Sequence, residues 1–270
     1  MAEDREVLRE VWEGRLPVCF TLATEEVNTP IAPDPFYLMV PRITYFPLIT
    51  DKVRRHFVRY VAAEKSENEM WLEFELQPLK WHLPIGLLYD LNVTDQTLPW
   101  QIVVHFDKFP ENKLMKFPTK DVIESHLMSS LKEADAMKHK NHIMSLMQER
   151  DHHQLWLGLS HDKFDQFWSV NRKLMEHSSG EGFRHIPFRL YVAEASTRPF
   201  IQFLIKPIEN DKPMTLDDLL QRANLNSKGP FNVVTHGVGI PLETPLQWMS
   251  EHLSYPDNFL HLCICPIDRN

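Results

Sequence analysis

The feature that most constrains this chain is a pattern that occurs twice. The first copy runs Pro78-Leu79-Lys80-Trp81-His82-Leu83-Pro84-Ile85-Gly86-Leu87-Leu88-Tyr89-Asp90-Leu91, then Leu98-Pro99-Trp100-Gln101-Ile102-Val103-Val104-His105-Phe106. The second runs Thr244-Pro245-Leu246-Gln247-Trp248-Met249-Ser250-Glu251-His252-Leu253, then Phe259-Leu260-His261-Leu262-Cys263-Ile264-Cys265-Pro266. Each copy has a proline at a helix start, a short apolar-periodic helix, a loop and a dense apolar strand. Proline suits the first helical position because its missing N–H has no partner there anyway. A strand apolar on both faces belongs in the middle of a small mixed sheet. Two such closing segments imply two similar small domains, a duplication and not a solenoid.

The segments before each copy complete the pattern. Residues 17–23 and 36–42 read as strands, with a proline loop between them. Thr50 is placed to cap a helix carrying Val53, Phe57, Val58 and Val61, and residues 70–76 alternate as a half-exposed strand. Helix 84–91 and strand 100–107 close the unit. The C-terminal part repeats the order with strands at 186–193 and 200–206, a helix capped by Thr215, a strand at 231–235, helix 245–253 and strand 259–265. This is the order of the β-grasp, the ubiquitin fold, in which a helix crosses a mixed sheet whose first and last strands are parallel neighbours. Between the two lies a helical stretch. Thr119 is expected to cap a helix bearing Ile123, Leu127, Leu131 and Ala134; residues 140–156 continue it, and Ser160 is expected to cap a third helix with Phe164, Phe167 and Trp168. Residues 5–13 form a short helix whose face, Val7, Leu8, Val11 and Trp12, is too small to stand alone. The expected class is α+β, with boundaries at 1–13 (N-terminal helix), 14–108 (ubiquitin-like domain A), 115–178 (helix-rich domain) and 186–270 (ubiquitin-like domain B). Glu176–Gly182 reads as the clearest linker.

Composition narrows the function. Hydrophobic residues make up 43% and charged residues 24%, enough apolar side chains for packed cores. A formal net charge of -8 speaks against a general nucleic-acid binder. The three cysteines, Cys19, Cys263 and Cys265, have neither the number for full pairing nor the spacing of a zinc site, and read as core thiols in a reducing compartment. The charged start carries no apolar signal region, and no run is long enough to span a bilayer, so the expected location is cytoplasmic.

No P-loop, GxGxxG, GxSxG or HExxH occurs, and no cofactor is expected. His139 and His142 lie three apart and His152 and His153 are adjacent, but without a matching cysteine or carboxylate set they read as surface or packing residues, with no metal site. Asp162 and Asp165 suit a helix N-terminus. Trp81, Trp100, Trp156, Trp168 and Trp248 read as core. The chain ends without the glycine tail a ubiquitin-type donor needs. A ubiquitin-like protein that is no donor is expected to be a scaffold, a binding module or an acceptor.

Several stretches resemble the autophagy protein 5 family, the ubiquitin-fold acceptors of the autophagy conjugation system. They are Val11-Trp12-Glu13-Gly14-Arg15-Leu16-Pro17, Pro78–His82, Lys132-Glu133-Ala134-Asp135-Ala136-Met137-Lys138-His139-Lys140, Phe164-Asp165-Gln166-Phe167-Trp168, and Glu243–Trp248 through Leu253–His261. The resemblance spans essentially the whole chain; the loops at 24–35 and 224–232 depart from it. It implies covalent attachment of a ubiquitin-like modifier, autophagy protein 12, to Lys132 in Ser130-Leu131-Lys132-Glu133-Ala134-Asp135. It further implies transient contact with the conjugating enzyme autophagy protein 10 and binding of the N-terminal helix of autophagy protein 16. The conjugate is then expected to act as an E3-like factor for lipidation of a second ubiquitin-like modifier at the phagophore membrane, with no catalytic residue in this chain. Helical geometry puts Lys132 about 100° from Leu131, on the exposed flank, near Ser129, Asp135 and Ala136. Val11, Trp12 and Arg15 are candidates for the partner-helix groove. Lys138, Lys140, Arg172 and Lys173 are candidates for a peripheral membrane contact. The competing readings are a non-covalent interaction module of duplicated ubiquitin folds and an enzyme of unknown chemistry.

Overall fold

The computed structural model describes residues 4–93, 97–116, 120–177, 182–192, 199–225 and 231–266. The chain divides into two compact units, residues 14–123 and residues 1–13 with 124–270. Helix α1 (Arg5–Glu13) therefore groups with the later residues and not with the strand that follows it.

In the first unit β1 (Arg15–Leu22) and β2 (Phe36–Pro41) pair antiparallel, with Cys19 opposite Tyr37. Helices α2 (Phe46–Ile49) and α3 (Asp51–Phe57) follow. Thr50 joins them in a helical conformation and makes no side-chain cap, contrary to expectation. The helical run begins a turn earlier because Pro47 supplies the pre-set φ of a first turn. β3 (Trp71–Phe74) stops where Glu75 and Leu76 take φ of 46° and 63°, and β4 (Gln77–Pro78) turns back on it. Helix α4 (Ile85–Asn92) and strand β5 (Trp100–His105) close the unit. The sheet order is β2-β1-β5-β3-β4, and β5 runs parallel to β1 with Val18 opposite Trp100. Val18, Phe20, Val53, Phe57, Ile85, Ile102 and Val104 form the core between sheet and helices. Each such side chain contributes about 1.5–3 kcal/mol.

The second unit holds most of α5 (Lys120–His139), the division falling between residues 123 and 124. Thr119 and residues 178–181 of the expected linker lie outside the described residues. Lys140 and Asn141, at φ of 58° and 63°, end α5. The expected 140–156 helix is two: α6 (His142–Leu146) and α7 (Glu149–Ser160). They separate where Asp151 Oδ2 accepts the Gln148 N–H at 3.3 Å, a capping arrangement. Ser160 ends α7, and α8 (Phe164–Asn171) starts from Lys163, not from Ser160.

Strand β6 (Phe188–Val192) comes next, then the small hairpin β7 (Ile208–Glu209) and β8 (Lys212–Pro213). Helix α9 (Leu216–Arg222) is capped by Thr215 as expected, whose Oγ1 accepts the Asp218 N–H at 3.4 Å while Asp218 Oδ2 accepts the Thr215 N–H at 2.8 Å. β9 (Phe231–Thr235), β10 (Val238–Gly239), α10 (Leu246–His252) and β11 (Leu260–Pro266) complete the chain. The order is β10-β9-β11-β6, with β11 parallel to β6 and Leu260 opposite Phe188. The expected strand 200–206 is reduced to a bridge between Leu190 and Ile201, plus an Ile186 N–H to Ile205 C=O bond of 2.9 Å. Phe203 between them packs its ring edge-on to Phe188 at 5.0 Å. Pro84 and Pro245 sit one place earlier than expected, at the N-cap of α4 and α10, with extended ψ of 146° and 132°. The chain is thus α+β, with two ubiquitin-like folds flanking a helical region in sequence.

Candidate functional site

Helix α5 sorts its residues by burial. Ile123, Leu127, Leu131 and Ala134 are wholly buried, whereas Lys132 is exposed. One and two turns before it stand exposed Ser129 and Ser125, and one turn after it exposed Ala136. The lysine therefore projects from a strip of small side chains. Its acidic neighbours are engaged elsewhere. Glu133 pairs with Arg189 at 3.0 Å and accepts from Gln202 at 3.1 Å. Asp135, expected beside the amine, is turned inward at 1% exposure and accepts the Met144 N–H at 2.8 Å.

Lys138 corrects the membrane expectation. It is 2% exposed, so it cannot meet a lipid surface. Its ammonium lies 3.2 Å from Asn258 Oδ1 and 3.1 Å from Met175 Sδ, 4.5 Å above the Phe183 ring. Burial pulls its pKa down to about 7, against the opposing pull of Glu251, Asp135 and Asp257. Asn258 passes the connection to Asn171 at 2.6 Å. The same C-terminal stretch buries a second chain, with Tyr191 OH 3.0 Å from His261 Nδ1 and His261 Nε2 2.9 Å from Asp257 Oδ2. Burial is the largest influence on Asp257 and raises its pKa, but His261, Arg189 and the Phe259 N–H together turn the net shift downward. These polar residues tie α5 and α8 to the start of β11. They were missed in the sequence, though Asp257, Asn258 and His261 inside an otherwise apolar run were the signal.

The N-terminal helix is tied down by its own chain. Trp12 is buried against Phe164 and Phe167, with ring centroids at 5.8 and 5.1 Å, and its indole N–H donates to Asp162 at 3.0 Å. Arg5 and Arg9 bind Asp165 at 2.6 and 3.1 Å, and Arg9 stacks over Phe164. Trp12 is thus internal packing and not a surface anchor. Val11 is half-buried against the second core, and half-buried Arg15 belongs to the first unit. Of the remaining basic candidates, Lys140, Arg172 and Lys173 are exposed, Lys173 lying 3.5 Å from Asp151. Among the expected core tryptophans Trp100 is fully buried, while Trp248 is 40% exposed and stacks on His252. Among the described residues no three His, Cys, Asp or Glu side chains are placed to hold a metal ion, and no helix is long and apolar enough to cross a membrane.

Comparison with known proteins gives one answer. The family model for the autophagy protein ATG5 UblA domain matches residues 11–106, that for its alpha-helical bundle region residues 120–177, and that for its UblB domain residues 185–264. Autophagy protein 5 of Drosophila melanogaster is 49% identical over 267 residues, covering 98% of each chain. Autophagy-related protein 5 of Caenorhabditis elegans is 36% identical, covering 97% of this chain and 98% of that one. The crystal structure of Kluyveromyces marxianus Atg5 superposes with a TM-score of 0.82 at 20% identity, covering 96% and 99% of the two chains.

Proposed function

This chain belongs to the autophagy protein 5 family and has a role in autophagy; from that premise we propose that it is the acceptor of autophagy protein 12 at Lys132. The observation that carries the proposal is an exposed lysine between Ser129 and Ala136 whose acidic neighbours face other partners. A large enzyme can reach such an amine. The neutral Nζ attacks the activated C-terminal carbonyl of the modifier, carried by autophagy protein 10. The N–C bond forms, the bond to the carrier breaks, and the carrier enzyme takes the amine's proton. Lys132 is exposed and so lacks the burial that activates a lysine, and the base is the enzyme's. This chain is a non-catalytic scaffold, and joined to its modifier and to autophagy protein 16 it acts as an E3-like factor at the phagophore membrane. Its domains span 14–108, 115–178 and 186–270, after the N-terminal segment 1–13 that carries α1.

Lys132→Arg abolishes attachment in a reconstituted reaction and leaves stability within about 0.5 kcal/mol. Attachment at the wild-type level would overturn the assignment and leave the alternative, a non-covalent interaction module. The autophagy protein 16 helix docks with Val11 contributing, while Trp12 is buried in the packing of its own unit. Val11→Asp weakens that binding at least tenfold, and an unchanged affinity removes the placement. Lys140, Arg172 and Lys173 form the peripheral membrane contact, each worth roughly 1 kcal/mol near an anionic surface. Reversing all three charges abolishes flotation with anionic liposomes at low salt; persistence rejects the patch.

A further inference from the structure

Strand β2 is the margin of the first sheet, and the acceptor reading does not use it. The Arg42 N–H donates to the Gly14 C=O at 3.0 Å, which makes residues 42 and 14 a hydrogen-bonded pair in the β1–β2 register. Such pairs alternate along an antiparallel ladder, so Val40, Leu38 and Phe36 turn their backbone groups to β1. Tyr37 and Met39 turn theirs outward, one N–H and one C=O each. Pro17, opposite Met39, suits this register because that pair needs no N–H. Among the described residues no backbone group meets these outward ones. The side chains also suit an added strand. Phe36 and Leu38 are only half-buried against the core, while Tyr37 and Met39 are 64% and 59% exposed. Edge strands are commonly blunted by charge. Residues 36–40 carry none, and Pro35 and Pro41 confine pairing to the stretch between them.

The charges beside this edge select its occupant. His56 of α3 lies against β2, its ring 5.0 Å from Phe36 and its Nε2 2.9 Å from the Asp34 C=O. Lys52 and Arg59 stand one turn before and one turn after it on the same side of the helical run, with Arg55 beside them. All three are exposed and, among the described residues, none is paired with a carboxylate. Arg55 Nε donates to the Asp51 C=O at 3.2 Å, and Arg59 lies over the Tyr60 ring at 4.9 Å. The Asp51 carboxylate is taken by Lys120 at 2.6 Å, which leaves exposed Asp34 as the opposing charge nearby. In a chain of net charge -8, this basic stripe beside an uncharged apolar edge is a local exception. We propose that β2 takes up an extended segment of a protein partner as an added strand, apolar at its centre and acidic at its flanks. Tyr37 and Met39 pair with its backbone, Phe36 and Leu38 meet its apolar side chains, and Lys52, Arg55 and Arg59 meet its acidic ones. A lipid surface would answer the cations but not the ladder groups. A second copy would answer the ladder groups but bring two basic stripes together.

The test uses the full chain and the peptide acetyl-Asp-Asp-Val-Ile-Val-Val-Glu-Glu amide, with hydrogen exchange read amide by amide by NMR. At saturation the peptide slows exchange of the Tyr37 and Met39 amides by about tenfold or more. Its affinity falls as salt is raised. The same peptide with lysine at its four acidic positions binds about tenfold more weakly. A version with proline in place of the isoleucine gives no protection, because it cannot continue a ladder. Lys52→Glu, Arg55→Glu and Arg59→Glu together weaken binding of the acidic peptide by about tenfold. Met39→Pro keeps the β1–β2 pairing, since the Met39 N–H points outward, and loses the peptide. Protection is read first in the unaltered protein, so the result stands even where a variant fails to fold. No slowing at Tyr37 and Met39, or equal binding of the lysine or proline peptide, overturns the proposal. Slowing that grows with chain concentration in the absence of peptide would mean a second copy on the edge. Slowing by vesicles of anionic phospholipid alone would mean a membrane. Either result overturns it.

Discussion

The two ubiquitin-like units share a sheet plan and differ in what they bury. In both, the first and last strands run parallel as neighbours, Val18 opposite Trp100 and Leu260 opposite Phe188, the pair lying inside the first sheet and at the β6 edge of the second. The first unit completes its second strand, β2, and buries a direct ion pair, Arg42 with Asp90 of α4. The second reduces the equivalent strand to a bridge and buries a network of Lys138, Asn258, Asn171, Asp257, His261 and Tyr191. The apolar skeleton is interchangeable, while the buried polar groups define each unit. In the first they hold a helix to its own sheet. In the second they hold the fold to the helices α5 and α8.

The largest effect tests that contrast in the first unit. Arg42→Ala removes the guanidinium that pairs with buried Asp90 and destabilises residues 14–123 by about 3–5 kcal/mol. Replacing both by leucine recovers most of the loss, because the desolvated charges go together. Hydrogen exchange of β1 and β5 amides reads the result. A loss under about 1 kcal/mol for the single change would mean the pair is not what fastens α4.

Lys138 is the counterpart in the second unit, and its signature is pH. Its folded pKa of about 7 lies below the roughly 10.4 of an unfolded lysine. Between these values the unfolded chain holds a proton that the folded chain lacks, so stability rises with pH through that window, by up to about 1.4 kcal/mol per unit. The facing groups are the carboxylates of Asp135, Asp257 and Glu251, with Asn258 and Met175. Tyr191, whose hydroxyl burial holds protonated, works the other way only above about pH 10. Urea titrations from about pH 7 to 9.5 show a rising midpoint in the wild type and a flat one in Lys138→Met. A flat profile in both would show that the buried amine does not titrate there.

What the sequence made legible follows from this difference. Alternating apolar runs and the two proline-started helices placed most strands, both parallel pairs and the Thr215 cap, because they depend on period and local chemistry. Lys132 stood out only through family resemblance; its spacing resembled any solvated helix face. Lys138 looked the same six residues later and is buried, since its environment comes from Asn258 and Met175, far away in the chain. Trp12 stands as a groove candidate in the sequence because Phe164 and Asp162, which cover it, are equally distant. The strand at 200–206 failed because an apolar run does not reveal whether its ladder closes between its ends.

A smaller effect comes from close packing. A Cβ on Gly158 of α7 would meet the Phe167 backbone nitrogen of α8 at 2.6 Å. Backbone cannot yield as a side-chain tip can, so Gly158→Ala costs about 1–3 kcal/mol in the second unit. Denaturant titration measures it, and a cost below about 0.5 kcal/mol would mean that α7 and α8 separate freely.

The smallest effect isolates one turn of helix in each unit. Thr215 and Asp218 cap α9 reciprocally, whereas Thr50 sits between α2 and α3 in helical conformation and caps nothing with its side chain. Both were equally good caps by residue type. Removing the hydroxyl and methyl of Thr215 uncovers an N–H that intrahelical bonding cannot satisfy, so Thr215→Ala costs about 1 kcal/mol. Thr50→Ala stays within about 0.5 kcal/mol, since the Thr50 N–H already bonds the Phe46 carbonyl. Asp218→Ala weakens the same turn, and the double change at 215 and 218 loses less than the two single losses added, because each residue serves the other's N–H. Equal losses at Thr50 and Thr215 would erase the difference between the two helix starts, and additive losses at 215 and 218 would dissolve the reciprocal cap.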